Sequence, residues 1–315
     1  MRLPFTRDRP SPESWCYPLD RSDQRLIDPD WRGAIVTCDI DKTYLRTQLE
    51  SLSGMLRVPM ELAIDKRAIP GTVPMLKALR RGPGPQHQNT PLYFVSASPP
   101  QLRRVIERKM LLDGVDYDGI TFKDWVGLLR AGQPSKLRNH IGYKLSALLL
   151  NRRAHPEGAR ELLFGDDSET DAMIYWTYAA ILRGELRGPA LLDHLAVHGV
   201  APEDGVYVER LCRDLADTDA VERAFIHLEV GRAPEAFSTW APLVVPTRNP
   251  LQAVALLRLA SYVDARAVSD VSHDLLAEGE LDAADLSAAV TDLVDRGLAT
   301  ETDLAEVREL LAQVV

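Results

Sequence analysis

Lysine is scarce in this chain: 315 residues hold seven lysines against 30 arginines, and none follows Lys144. Cysteine is scarcer, with Cys16, Cys38 and Cys212 far apart and no C-x-x-C pair. That argues against a disulfide framework and against a zinc site built on thiolates, and makes a reducing compartment the expectation. No apolar run reaches the roughly 18 residues of a membrane helix; the best candidate, Leu251 to Val263, is interrupted by Gln252 and Arg258. The first residues carry charge without the apolar stretch of a secretory signal, so a cytoplasmic location is expected. Aromatic residues make up only 6%, which leaves the core to aliphatic side chains. Positive charge is not in excess either. A formal net charge of −9 argues against general nucleic-acid binding.

The charge is unevenly spread. Residues 201–315 hold 22 acids against nine arginines and no lysine. A boundary near 190–205 is therefore expected, dividing the chain into an extended lead-in (1–30), an α/β domain (31–190) and an acidic helical C-terminal region (191–315). In that last region Asp274-Leu275, Gly279 and Asp285-Leu286 recur 18 residues on as Asp292-Leu293, Gly297 and Asp303-Leu304. This spacing reads as helix, glycine stop, capping residue and next helix. Thr300-x-x-Asp303 has the form of a capping box with Asp for Glu.

The front half alternates strand and helix signals. Ala34 to Cys38, Leu92 to Val95 and Glu161 to Phe164 are short apolar runs of strand character, and Gly119 to Phe122 is a further short strand. Helical spacing occurs within 48–80, Pro99-Pro100 open a helix bearing Leu102, Ile106 and Met110, and Lys144 to Leu150 is helical. The alternation predicts a Rossmann-like, mainly parallel sheet with flanking helices. Ligands of such sheets lie beyond the carboxyl ends of the strands, and three of the strands end in Asp39, Ser96 and Asp166.

Each strand end carries chemistry. Asp39-Ile40-Asp41-Lys42-Thr43 sets two carboxylates two residues apart, one able to attack phosphorus and one able to shuttle a proton. Ser96, followed by the backbone of Ala97 near a helix start, suits phosphate oxygens. Gly165-Asp166-Asp167-Ser168-Glu169-Thr170-Asp171 offers hard oxygen ligands of the kind Mg²⁺ takes. A lysine in a chain that otherwise uses arginine is the fourth element. Lys144 and Lys136 both compete for that role, a compact ammonium that neutralises phosphate and nucleophile. Each cluster alone has a plainer reading as a turn, a helix cap or a solvated loop. Their joint occurrence favours a phosphoryl-transfer site over a non-catalytic phosphate-binding or interaction protein that works through its helical tail.

In this order the four elements resemble the haloacid-dehalogenase-like phosphotransferase superfamily. They are most similar to the phosphatidate phosphatase catalytic-domain family first described in fungal actin-patch proteins. Its D-I-D-D-T, Y-V-S-x-S-P, K-L and I-G-D-S-G-E-x-D-x-x-I-Y patterns correspond to Asp39 to Thr43, Phe94 to Pro99, Lys144-Leu145 and Phe164 to Tyr175. The resemblance covers roughly 30–180. It implies a haloacid-dehalogenase-like core with a small cap or none, and a Mg²⁺-dependent phosphomonoesterase working through an aspartyl phosphate. The implied roles are Asp39 as nucleophile, Asp41 as general acid and base, and Ser96, Ala97 and Lys144 as holders of the phosphoryl group. The metal would be held by Asp39, the backbone carbonyl of Asp41 and Asp166, with Asp171 orienting metal-bound water. The implied substrate is phosphatidate or a soluble phosphomonoester, with transient membrane contact in the first case. Lys42 and Asp167-Ser168 depart from the family pattern without removing a catalytic group.

Overall fold

The computed structural model describes residues 14–23, 25–46, 67–168 and 170–314. At its centre lies a seven-stranded sheet in the order β1-β6-β5-β2-β7-β8-β9. The strands are β1 (Leu19–Asp23), β2 (Ala34–Asp39), β5 (Leu92–Ser96), β6 (Gly119–Lys123), β7 (Arg160–Asp166), β8 (Val221–His227) and β9 (Val244–Thr247). A two-stranded pair, β3 (Leu45–Arg46) and β4 (Arg67–Ala68), follows β2. All pairings in the large sheet are parallel except β1 with β6.

The parallel strands are buried on both faces, and their side chains alternate between two apolar layers with the period of two that the pleat imposes. Val36, Cys38, Phe94, Leu162, Phe164, Phe225 and Val245 face one layer. Val95, Leu163, Ala224, Ile226 and Val244 face the other. The first layer is closed by α1 (Thr72–Arg81), α2 (Arg103–Asp113) and the four C-terminal helices α8 (Pro250–Leu259), α9 (Ala265–Ala277), α10 (Ala283–Asp295) and α11 (Ala305–Val314). The second is closed by α4 (Ile141–Ala154), α5 (Asp171–Leu182), α6 (Gly188–Val197) and α7 (Pro202–Cys212). A short helix, α3 (Trp125–Arg130), follows β6.

Two expectations change here. The segment after 190 is not helical throughout, because β8 and β9 continue the parallel sheet; the all-helical part begins at Pro250. Its helices share one core with β2 and α1: Leu251, Val271, Leu286 and Leu311 belong to the same cluster as Val36 and Leu76. The lead-in is also not wholly extended coil, since Leu19–Asp23 pairs antiparallel with β6. Residues 1–13 of that lead-in, and 47–66 of the region with helical spacing, lie outside the described residues.

The repeat in the tail corresponds to α9 and α10 and their connections. Gly279 and Gly297 take left-handed φ values of 65° and 66° just beyond the helix ends. Asp282 caps α10 in a reciprocal box with Asp285. The Thr300 N–H donates to Asp303 (2.9 Å) while the Asp303 N–H donates to Thr300 Oγ1 (3.2 Å), completing the box read from the sequence. Helix α1 has no such cap of its own. Asp274, on α9, supplies one from a distance, its carboxylate accepting the Gly71 N–H at 2.7 Å.

Candidate active site

Strand β2 holds the middle of the sheet, with β5 and β7 parallel to it on either side. The chain builds outward from β2 to β5 and β6, then crosses to β7 and continues to β8 and β9. In open α/β sheets this switch in direction opens a crevice at the carboxyl ends of the strands. Asp39, Ser96 and Asp166 are the last residues of β2, β5 and β7, so the register brings the three together at that crevice.

Beyond Asp39 the chain turns sharply. The N–H groups of Tyr44 and Leu45 both donate to Ile40 O (3.1 and 2.9 Å), and the Lys42 N–H donates to Leu45 O (2.8 Å). Lys42 sits at φ 63°, a left-handed conformation uncommon for a residue with a side chain. The turn directs the Asp41 carboxylate towards β5. There its Oδ2 accepts hydrogen bonds from Ser96 Oγ (2.9 Å) and Ser98 Oγ (2.8 Å), while the Ser98 N–H donates to Ser96 Oγ (3.1 Å). The Tyr143 hydroxyl fixes the end of β5 from below, donating to Ser96 O (2.6 Å) and shared with Thr121 O (2.9 Å). Trp125 Nε1 donates to Ala97 O (3.0 Å).

Lys144 rises from the first turns of α4, fully buried, with Nζ 2.9 Å from Asp39 Oδ1 and 2.5 Å from Asp171 Oδ1. Asp171 is the first residue of α5, where a carboxylate also meets the positive end of the helix dipole. Asp166 Oδ1 accepts the Ser168 N–H at 2.6 Å. Carboxylate oxygens of Asp39, Asp166 and Asp171 all lie within 4.8 Å of one another. Three buried carboxylates against one ammonium leave a surplus of negative charge, which buried groups relieve by pairing, by taking up a proton or by binding a cation. This all-oxygen donor set fits a hard divalent ion such as Mg²⁺. The same charges act on the neighbouring thiol: burial first, and then Asp39 and Asp171, push Cys38 well above the usual thiol range.

Gly165, the penultimate residue of β7, is needed for close approach. A Cβ there would overlap Asp171 Oδ2 and lie 2.9 Å from a ring carbon of Tyr175. Tyr175 in turn donates its hydroxyl to Phe164 O (2.9 Å), tying α5 to the strand. Gly165→Ala is therefore expected to cost about 1–3 kcal/mol in stability and to displace Asp171. A melting temperature and specific activity both equal to those of the unaltered protein would show that the loop absorbs the methyl group.

Of the residues singled out in the sequence, Asp39, Lys144, Asp166 and Asp171 converge, and Asp41 joins Ser96 beside them. The Asp41 side chain is not one of the three clustered carboxylates. Lys136 lies elsewhere, 2.6 Å from Asp204 and 3.0 Å from Glu203. Glu169 falls outside the described residues. One supporting residue, Tyr143, had no local signal. Asp167, read from the sequence only as part of the acidic run, has a supporting role: 1% exposed, it accepts the N–H groups of Val230 (2.8 Å) and Arg232 (2.9 Å) and so anchors the loop after β8 beside the crevice.

A central parallel sheet with Asp39, Ser96 and Asp166 at three adjacent strand ends and a lysine bridging two carboxylates is the arrangement that the resemblance to haloacid-dehalogenase-like phosphotransferases implies. Residues 34–187, just under half of the chain, match the family model described as "Phosphatidate phosphatase APP1, catalytic domain", so this part of the chain is similar to that family. The match starts at the first residue of β2 and ends beyond α5, leaving β1, β8, β9 and the C-terminal helices outside it. Comparison with curated proteins and with solved structures gives no match.

Proposed function

We propose that the protein is a Mg²⁺-dependent phosphomonoester hydrolase that forms an aspartyl phosphate on Asp39, with phosphatidate, named in the family description, as its substrate. The observation that carries this reading is the meeting of Asp39, Asp166, Asp171 and Lys144 at one buried point. Asp39 and Asp166, with the backbone carbonyl of Asp41, are the groups that would hold the metal. When bound, the ion adds positive charge beside the transferring phosphoryl oxygens.

Asp39 attacks phosphorus through a carboxylate oxygen. The bond from phosphorus to the leaving oxygen breaks, its electron pair leaves with that oxygen, and Asp41 delivers a proton to it. Asp41, now ionised, takes a proton from water as the water oxygen attacks phosphorus. The bond to Asp39 then breaks, freeing inorganic phosphate and the Asp39 carboxylate. The Ser98 hydroxyl on Asp41 Oδ2 holds its carboxyl group in a fixed orientation, while the Ser96 hydroxyl, which donates to the same oxygen in the free protein, turns to the substrate phosphate. Ser96 and the backbone of Ala97 receive phosphoryl oxygens, and Lys144 neutralises the charge that builds there. Asp171 keeps that ammonium in place. Positioning and charge neutralisation of this kind account for most of phosphoryl-transfer catalysis.

The test is phosphate release with and without Mg²⁺ from phosphatidate in mixed micelles, an aryl phosphate and soluble phosphomonoesters. Mg²⁺-dependent release with phosphatidate preferred is expected; no release from any of them would overturn the reading. Lys144→Ala should lower kcat by about 10²- to 10³-fold. Lys136→Ala should leave kcat per folded molecule unchanged while lowering stability, because it strands the buried Asp204. Loss of kcat in Lys136→Ala alone would exchange the two assignments.

A further inference from the structure

The loops after β6 and β8 flank the crevice on the end of the sheet where Asp39, Ser96 and Asp166 emerge. On one flank the last two residues of α3 are Leu129, 54% exposed, and the exposed Arg130. On the other, the loop after β8 presents Val230, also 54% exposed, with the exposed Arg232 two residues on. Asp167 holds that second loop in place through the N–H groups of these same two residues. Strands β6 and β8 stand four places apart with β2 midway, a span of about 19 Å. A cavity of about 500 Å³ beside the loop after β7 is lined by Arg138, Asn139, Ser168 and Thr170 among others.

A single exposed aliphatic residue is ordinary. Two of them, each with an arginine nearby and bracketing one catalytic crevice, form a pattern. The chain carries a net charge of −9, yet this rim gathers Arg130, Arg138, Arg232 and Lys42. Neither Arg138 nor Arg232 makes an ion pair among the described residues. Of the acids beside the loop after β8, Glu229 is engaged by His227 (3.2 Å) and Glu235 is exposed. No helix among the described residues is long and apolar enough to cross a membrane, so a lipid substrate has to be met at the bilayer surface.

We propose that this rim is a docking surface for an anionic lipid bilayer, with Leu129 and Val230 entering the interfacial layer and Arg130, Arg138 and Arg232 facing headgroup phosphates. The inference rests on the lipid-substrate reading and gives it a geometry. The phosphate of a membrane lipid lies in the headgroup plane, and a strand-end site bordered by shallow apolar contacts and cations comes level with that plane.

The experiment is cosedimentation of the full chain with phosphatidylcholine vesicles, with or without phosphatidylserine. It is paired with hydrolysis of a soluble aryl phosphate and of vesicle-borne phosphatidate. The variants are Arg130→Ala/Arg232→Ala and Leu129→Glu/Val230→Glu. The unaltered protein should prefer anionic vesicles at least about tenfold, and less at high salt. The arginine variant should lose about fivefold in binding for each arginine removed, and the glutamate variant should lose binding altogether. Both should keep aryl phosphate turnover and lose hydrolysis of vesicle phosphatidate in proportion to binding. Equal binding to neutral and anionic vesicles, or unchanged binding in both variants, would overturn the docking surface while leaving the phosphatase reading intact. Vesicle binding that depends on these four residues, with no hydrolysis of either substrate, would uphold the surface and reject the phosphatase reading.

Discussion

Asp39→Asn is expected to abolish turnover, with kcat falling by at least about 10⁴-fold, as happens when a covalent nucleophile is removed. The substitution keeps the shape of the side chain and removes only its charge and nucleophilicity. Lys144 retains Asp171 as a partner at 2.5 Å, so the ammonium is not left buried and uncompensated. Asp39 makes its contacts at the end of β2, whose ladder with β5 and β7 is carried by backbone groups. Circular dichroism and the thermal transition should therefore stay close to those of the unaltered protein. Steady-state phosphate release in the presence of Mg²⁺ checks the expectation. A folded Asp39→Asn protein with ordinary turnover would reject Asp39 as the attacking group.

The second large effect lies at the other end of β7. Glu161 is 2% exposed and holds a buried network: Arg152 Nη1 lies 3.3 Å from its Oε1, His155 Nδ1 lies 3.5 Å from the same oxygen, and the Tyr178 hydroxyl donates to Oε2 at 2.7 Å. Glu161→Gln leaves the Arg152 guanidinium buried without its counter-charge, which should cost about 3–5 kcal/mol in urea denaturation. Glu161 is five residues from Asp166 along the strand, about 17 Å, so kcat of the folded variant should be retained.

The network also carries a pH dependence. Burial by itself would raise the Glu161 carboxyl, but His155, Arg152 and Tyr178 outweigh it and hold the group below the usual glutamate range. A folded-state value below the unfolded one means that the unfolded chain binds the proton more readily. The stabilisation is then fully present above the unfolded value, about 4.3, and is lost as pH falls through the folded one. Below about pH 4 the unaltered protein should therefore lose stability more steeply than Glu161→Gln. Parallel pH profiles would remove this carboxylate from the acid response.

The strands that carry the site were legible because they are buried on both faces and end in chemistry. Ala34 to Cys38 is an apolar and β-branched run that stops at the Asp39 carboxylate, and mostly apolar runs likewise lead to the Ser96 hydroxyl and the Asp166 carboxylate. The strands at the sheet margins lack that signature. Strand β1 reads Leu-Asp-Arg-Ser-Asp, with no apolar alternation, because an edge strand needs only backbone pairing on one side. Strand β9 is four residues long and contains Pro246, which an edge position tolerates and a central one does not. Strand β8 carries Glu222 and Arg223 directly after its first residue, which hides its apolar half.

The expected boundary near 190–205 followed a shift in charge, and charge is a property of surfaces. The core takes no notice of it, since apolar side chains on both sides of that point pack into the same two layers. Contacts such as Asp167 with the loop of Val230, Asp274 with Gly71, and Trp15 with Asp204 (2.7 Å) join residues dozens to hundreds of positions apart. No local pattern encodes them. The choice between Lys144 and Lys136 was open in the sequence for the same reason: which ammonium meets a carboxylate at a strand end depends on how α4 packs across β2 and β7.

The most direct measurement is acid-quenched trapping of the phosphorylated protein during turnover with Mg²⁺, followed by peptide mapping. Asp41→Asn serves as the second sample, because it should slow release of the phosphoryl group. The expected result is a base-labile phosphoryl group on the peptide containing Asp39, accumulating further in Asp41→Asn and absent from Asp39→Asn. Turnover without any labelled peptide, or a label on a residue other than Asp39, would contradict the assignment of Asp39 as the nucleophile.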